Sequence, residues 1–278
     1  MSESMTRLVI GLALLGTSLS AAGTIACGQS TVKTTPVPDV VFVPTPFRVV
    51  DLMLEVARIR AGDVLFDLGS GDGRIVIAAA KRFGIKATGI DIDPLLIAQS
   101  RVNADTARVS HLVGFREADL FTTDLRPASV VTLYLLPALN VRLRPKLFEE
   151  LRPGSRVVSH AFDMGDWKAD STLMLDARIV YFWVMPANVS GRWTVTTSAA
   201  GSERRHDLHI AQEYQSITSV SADGGAISID SAAVRGDSVR FNIDNTRFEG
   251  RVSGDSIEGS FVESGGAAGT WRAVRRRT

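Results

Sequence analysis

The chain has almost no cysteine: its 278 residues hold one, Cys27. An internal disulfide needs two, so none staples this fold, and cysteine usage neither supports nor excludes an oxidising compartment. Charge of one sign is also missing, with Lys plus Arg at 31 and Asp plus Glu at 30. That removes a global attraction toward nucleic acid or anionic lipid, and no nucleic-acid partner is expected. The locally basic end, residues 271–278, reads as a solvated tail, with a polyanion contact as the other reading. Clusters of metal ligands are lacking too. Asp163 and Asp166 have no His or Cys group beside them, and His206 with His209 makes no complete site, so no metal is expected.

The most informative stretch lacks a glycine at the last position of the dinucleotide pattern. Residues 64–74 read as a buried strand, a glycine turn and the start of a helix, and Asp91 closes the next apolar run. This places a nucleotide-like ligand at the carboxyl edge of a parallel sheet. A dinucleotide turn wants G-x-G-x-x-G, but Arg74 stands where its last glycine belongs. Asp67 and Asp72 would repel a pyrophosphate. They would attract a ligand with an ammonium group, and S-adenosylmethionine carries an ammonium, a sulfonium and a ribose without phosphate. Backbone at Gly69, Ser70 and Gly71 would pass close to it, and Asp91 would accept from its ribose hydroxyls.

Three ordered segments then carry a resemblance. Asp67-Leu-Gly-Ser-Gly-Asp-Gly73, Gly89-Ile-Asp91-Ile92-Asp93-Pro94 and Arg116-Glu-Ala-Asp119-Leu120-Phe121 resemble the cofactor motifs of class I S-adenosylmethionine-dependent methyltransferases. The resemblance implies that Asp91 and Ile92 border the ribose and that Asp119 and Leu120 face the adenine. Together with Val43-Pro-Thr-Pro46, Leu133-Tyr-Leu-Leu-Pro137 and Arg156-Val-Val-Ser-His160, residues 40–170 are similar to bacterial relatives of the mitochondrial ATP synthase c-subunit lysine methyltransferase group. This implies a protein lysine as a candidate acceptor. Thr45 becomes a candidate for closing over the methionine end, with a rigid proline linker as the other reading.

The catalytic group is not legible. Many amino-group methyltransferases place Asp/Asn-Pro-Pro-aromatic after the fourth strand, whereas this chain reads Thr132-Leu-Tyr134-Leu-Leu-Pro137. The carboxylate or amide is missing, which argues against adenine or glutamine methylation. Tyr134 is a candidate aromatic wall near the methyl group, or a core tyrosine. His160 is a candidate base, since an unshifted imidazole titrates near about 6.5, or a structural histidine.

The organisation follows from periodicity. Residues 1–27 hold an apolar run ending at Cys27, which reads as a lipoprotein signal, a plain signal peptide or an uncleaved anchor. Membrane association through the N-terminus and a cell-envelope location are expected, with a cytoplasmic location as the alternative. An exported enzyme would be separated from a cosubstrate made inside the cell. Residues 28–46 are a linker and entry segment. Residues 47–186 alternate strand and helix, which predicts a doubly wound, Rossmann-like α/β sheet with two further strands near residues 174–176 and 179–185. Pro145 is expected to break the helix at residues 138–151. From residue 187 to 278 helical periodicity is absent and short β runs recur, which predicts a small antiparallel barrel or sandwich closed by Trp193 and Trp271. Three functions compete: a protein-lysine methyltransferase, a methyltransferase for a small molecule or lipid, and a non-catalytic envelope lipoprotein whose β domain binds a partner.

Overall fold

The computed structural model describes residues 42–222 and 225–276. The apolar run and Cys27 lie outside the described residues. Among the described residues, no helix is long and apolar enough to cross a membrane.

The first helix, α1 (Phe47–Val56), buries Val50, Met53 and Leu54 at helical spacing. Then β1 (Val64–Leu68), α2 (Arg74–Phe83), β2 (Lys86–Asp91), α3 (Pro94–Ala107) and β3 (Val113–Glu117) follow in strict alternation. Gly84 stops α2 in a left-handed conformation, φ 64°, with its N–H on the Ala80 carbonyl. Asp93 caps α3 by accepting the Leu95 N–H, and Pro94 fills the first turn. Next come β4 (Val130–Leu133), α4 (Pro137–Glu150), β5 (Arg156–His160), β6 (Ser171–Leu175) and β7 (Arg178–Val184).

These seven strands form one sheet in the order β3-β2-β1-β4-β5-β7-β6. The first five are parallel, and β7 runs antiparallel to both β5 and β6. Strand order reverses between β1 and β4, which opens a crevice at their carboxyl ends. Alternate side chains sort to two faces: Leu65, Val130 and Val158 pack with α1 to α3, and Phe66, Val131 and Val157 pack with α4.

Pro145 does not break α4, which runs unbroken through it. The proline and Val141, whose carbonyl loses its helical partner, are both exposed, so water can take the freed group.

The chain enters its second part at residues 185–190 without a loose linker. Met185, Ala187 and Val189 are buried, and the Ala187 N–H donates to the Gly236 carbonyl at 2.7 Å. Strands β8 (Gly191–Ala199), β9 (Ser202–Glu213), β10 (Ser216–Ala222), β11 (Gly225–Ile227), β12 (Ile229–Arg235), β13 (Ser238–Ile243), β14 (Thr246–Ser253), β15 (Ser256–Glu263) and β16 (Ala268–Arg275) make an antiparallel sheet. Pairing of β9 with β10 closes eight of them into a barrel, with β11 added beside β10. Strands β10 and β12 lack a clean alternation of apolar and polar residues. Each carries a bulge, between Ile217 and Ser219 and between Asp230 and Ala233, which destroys the two-residue alternation.

Trp193 and Trp271 both lie in the barrel core with Phe241, Ile257 and Phe261. The described part of the basic end, residues 271–276, is not a solvated tail. Trp271 is buried, Arg275 pairs with Asp255, and Arg276 pairs with Asp207 at 2.8 Å.

The barrel meets the α/β layers at the amino end of β5. Gly236 packs against Gly154, just ahead of that strand. Tyr214, in the β9–β10 turn, packs its ring on Phe148 and Trp167, and Gln215 donates to the Lys168 carbonyl at 2.7 Å.

Glycine spacing inside the barrel is set by backbone and indole contacts. A Cβ on Gly259 would lie 1.9 Å from the Glu249 carbonyl oxygen and 2.6 Å from Gly250 Cα, whereas one on Gly265 would meet nothing within 4 Å. Gly259→Ala should therefore destabilise the chain by about 3 kcal/mol, because backbone cannot yield as a side chain can. Gly265→Ala should stay within about 0.5 kcal/mol of the parent. Urea unfolding midpoints of the two variants test this, and equal midpoints would refute the close barrel contact.

Candidate functional site

A cavity of about 460 Å³ opens at the carboxyl ends of β1, β2 and β4. That volume suits a nucleoside-sized ligand. Thr45, Asp67, Gly69, Ser70, Asp91, Ile92, Asp119, Leu120 and Tyr134 all line it. Gly71 does not line it but braces its floor, and His160 lies behind its wall.

The glycine turn is built by backbone. Gly69, Gly71 and Gly73 take φ of 77°, 54° and 79°, a region closed to most side chains. The N–H groups of Gly69 and Ser70 donate to the Ile90 carbonyl at 2.8 and 3.0 Å. Ser100 and Asn103 of α3 donate to the carbonyls of Gly71 and Asp72. A Cβ on Gly73 would strike the Phe115 ring at 2.7 Å, so the helix start lies close on β3.

Asp91 ties this turn to β2. One of its oxygens accepts the Gly71 N–H at 2.8 Å and the other accepts the Asp93 N–H at 3.0 Å. Each oxygen keeps a second lone pair for a hydroxyl donor. Asp119 accepts the Phe121 N–H at 2.8 Å, which holds the following turn against the cavity.

Asp67 is buried, and Thr132 donates its hydroxyl to it at 2.7 Å. Burial pushes its carboxyl up to about 7, with Asp91 and Asp72 adding to the rise and the Thr132 hydrogen bond opposing it. A cation placed beside Asp67 would restore its charge. Ser70 Oγ is buried in the same wall with no partner and packs toward Gly89 of β2.

Several residues of the site gain no role from the sequence, although Val43 and Phe121 fall inside the segments that carry the resemblance. Phe42 and Val43 line the cavity from the entry segment, and a Cβ on Gly71 would meet the Phe42 ring at 2.1 Å. Arg74, read from sequence only as a lost glycine, clasps Asp72 at 2.6 Å, donates to the Thr45 carbonyl at 2.8 Å and covers the Phe47 ring. It fastens the entry segment to the glycine turn. Phe121 lines the cavity beneath the Arg142 guanidinium, 3.8 Å from its ring centre.

Thr45 is buried, and its hydroxyl lies 3.2 Å from His160 Nδ1. His160 is itself fully buried, and its ring centre is 4.0 Å from that of Tyr134. Burial, aided by Arg178, lowers its imidazole to about 4, so it stays neutral at physiological pH. Asn140 and Trp167 are also buried away from the cavity, and His206 and His209 are exposed. Among the described residues, no group of three His, Cys, Asp or Glu is arranged to hold a metal.

The family model described as the ANTKMT methyltransferase domain matches residues 67–171. A protein-lysine N-methyltransferase of Saccharolobus islandicus is 41% identical over 141 residues, which is 50% of this chain and 88% of that protein. The mouse lysine N-methyltransferase named for the ATP synthase c-subunit is 38% identical over 131 residues, 47% of this chain and 52% of that protein. The chain thus spans about half the length of that relative. A solved structure described as an RNA methyltransferase from Salinibacter ruber, in complex with S-adenosyl-L-homocysteine, is 56% identical with a TM-score of 0.52, covering 53% of this chain and 96% of that one. A buried carboxylate at the sheet's switch point, a glycine turn without a phosphate cradle and these likenesses converge: the chain belongs to the S-adenosylmethionine-dependent methyltransferases, and its residues 67–171 match their ANTKMT domain.

Proposed function

We propose that this chain transfers a methyl group from S-adenosylmethionine to the side-chain amine of a lysine in a protein. The observation that carries the reading is the charge of the cavity. Asp67, Asp72, Asp91, Asp93 and Asp119 line it, and the cation among them, Arg74, is held by Asp72. Such a wall favours a sulfonium and an approaching amine, and disfavours phosphate. The Saccharolobus relative, named a protein-lysine N-methyltransferase, supports the same acceptor.

In this reading Asp91 accepts from the ribose hydroxyls, and Asp119 with Leu120 borders the adenine. Asp67 faces the cationic end, where Gly69 and Ser70 line the cavity. S-adenosylmethionine supplies an electrophilic methyl. The nitrogen lone pair forms the new N–C bond as the C–S bond breaks, the sulfide departs neutral, and the proton of the amine leaves to solvent.

An RNA acceptor is the second reading, favoured by the 56% identity to the Salinibacter protein, which is described as an RNA methyltransferase. Incubation with methyl-labelled S-adenosylmethionine and either lysine-rich protein or RNA separates the two, with label expected in protein. Label confined to RNA would overturn the lysine reading. The apolar run at residues 8–26 supports a cell-envelope location, and fractionation that leaves the chain wholly soluble would remove that part.

Asp91→Ala should weaken S-adenosylmethionine binding about 10- to 100-fold, the loss expected for hydrogen bonds to a charged acceptor. Calorimetric titration measures it, and an unchanged affinity would clear Asp91 of the role.

A second expectation follows from Asp67. Its carboxyl ionises near 7 in the unliganded protein, so binding of a cation should tighten as pH rises from 6 to 8. Asp67→Asn should flatten that dependence. The same raised value makes ionised Asp67 a destabilising group when no ligand is bound: the stability present below the ordinary carboxylate range is lost as pH rises through about 7. Asp67→Asn should therefore raise the unliganded melting temperature more at pH 8 than at pH 5. Melts with parallel pH dependence in parent and variant would contradict the assignment.

A further inference from the structure

His160 touches no part of the cavity, yet it joins two of its walls. Its Nδ1 meets the Thr45 hydroxyl at 3.2 Å, and its ring lies 4.0 Å from the Tyr134 ring at 38°. Thr45 belongs to the segment before α1, Tyr134 to the turn after β4, and His160 ends β5. Three separate elements meet on one buried imidazole.

The chain holds that imidazole by an unusual turn. Ala161 takes φ 68°, and the Phe162 N–H donates back to the His160 carbonyl at 2.9 Å. A non-glycine residue in that region is strained and persists only where its surroundings over-determine it. They do so here. Asn140, fully buried, donates to Ser159 Oγ and to the carbonyls of Phe162 and Asp163, and Ser159 donates to the Phe162 carbonyl at 2.6 Å. Nε2 of His160 has no partner and is buried. An orphaned ring nitrogen is destabilising, so packing alone would be met better by an apolar ring.

Position in the cavity tells which step this serves. Asp119 follows β3, Asp91 ends β2, Asp67 lies in β1 and Tyr134 follows β4, so these residues mark the cavity in sheet order. With adenine at the Asp119 end and the cationic group at Asp67, the far wall of Tyr134 and Thr45 borders the reacting methyl.

We propose, building on the methyl-transfer reading above, that His160 is a positioning residue that fixes the Thr45 hydroxyl and the Tyr134 ring as the two walls between which the acceptor amine reaches the methyl group. It is not a base. The groups that face it are the Tyr134 ring and the Thr45 hydroxyl, and Arg178 at the start of β7 is the charge that acts on it.

Two variants dissect the contact. His160→Phe keeps a ring against Tyr134 and removes Nδ1, whereas His160→Asn keeps a polar atom near the Nδ1 position and removes the ring. Thr45→Val removes the hydroxyl in a near-isosteric side chain. The full chain is assayed for S-adenosylmethionine affinity by calorimetry and for methyl transfer to lysine-rich protein across pH 6–9. His160→Phe is expected to bind S-adenosylmethionine within about threefold of the parent and to lose about tenfold in kcat/KM for the acceptor, a factor in keeping with one hydrogen bond. Thr45→Val should lose as much, the double variant no more than either, and His160→Asn should recover part of the loss. The pH profile of His160→Phe should run parallel to that of the parent. Unimpaired transfer in His160→Phe, additive losses in the double variant, or a parental inflection near about 6.5 that His160→Phe abolishes would each overturn the proposal. If His160→Phe does not fold, Thr45→Val decides, and parental transfer in that variant overturns it. A parent chain that neither binds S-adenosylmethionine nor transfers methyl overturns the function itself, whereas a transferring parent beside an unimpaired His160→Phe overturns this proposal alone.

Discussion

The grip of Asp91 on the glycine turn is the interaction on which the cavity depends. Two strands deliver two loops to one edge, and the Gly69 and Ser70 N–H bonds to the Ile90 carbonyl join only their starts, so something must fix how the loops meet beyond them. The Asp91 carboxylate does so by accepting the Gly71 N–H from one loop and the Asp93 N–H from the other. Both are charge-assisted contacts, about twice as strong as neutral ones. Because Gly71 sits at positive φ and lies against Phe42, its N–H can point at the carboxylate only while the turn keeps this shape. Asp91 therefore ties the glycine turn to the chain entering the α3 cap, while Arg74 holds the entry segment and the Asp93 side chain completes the cap.

Around that knot the cavity works against the stability of the unliganded fold. Asp67 is held in a site that disfavours its charge, beside two further carboxylates. A structure selected for stability alone would place an apolar or amide side chain there. Retaining the carboxylate makes sense if the ligand brings the missing positive charge, since the same desolvation that penalises the lone anion strengthens its attraction to a cation. Arg74 does not fill that role, because Asp72 and the Thr45 carbonyl already use its guanidinium.

What could be read from the sequence was local. The glycine turn, Asp91 and Asp93 each sit in short motifs whose residues lie within a few positions, so spacing alone gives them away. The strand and helix alternation fixed the parallel sheet for the same reason. Contacts between distant segments left no trace. Phe42 lies on Gly71 and Thr45 meets His160 across 115 residues, and no periodicity encodes either. His160 drew notice as a base because its residue type titrates near neutrality, but burial decides its chemistry and burial is a tertiary property. Strands β10 and β12 were obscured by their own bulges, and Pro145 suggested a break that an exposed helix face tolerates.

The place of the barrel follows from the direction of β7. That strand begins beside His160, at the cavity edge of β5, and ends beside Arg156 at the opposite edge. The chain therefore leaves the sheet on the side away from the cavity, and Gly236 and Ala187 seal the barrel there against Gly154 and Met185. No described barrel residue lines the cavity. A barrel so placed cannot present an acceptor amine to the methyl group by its own wall. What it can do is brace α4, since Tyr214 packs on Phe148 and receives Arg144, whose other contact is the Met164 carbonyl. The same helix begins at Pro137, directly after the Tyr134 wall, so support given at its far end reaches the cavity through a rigid element.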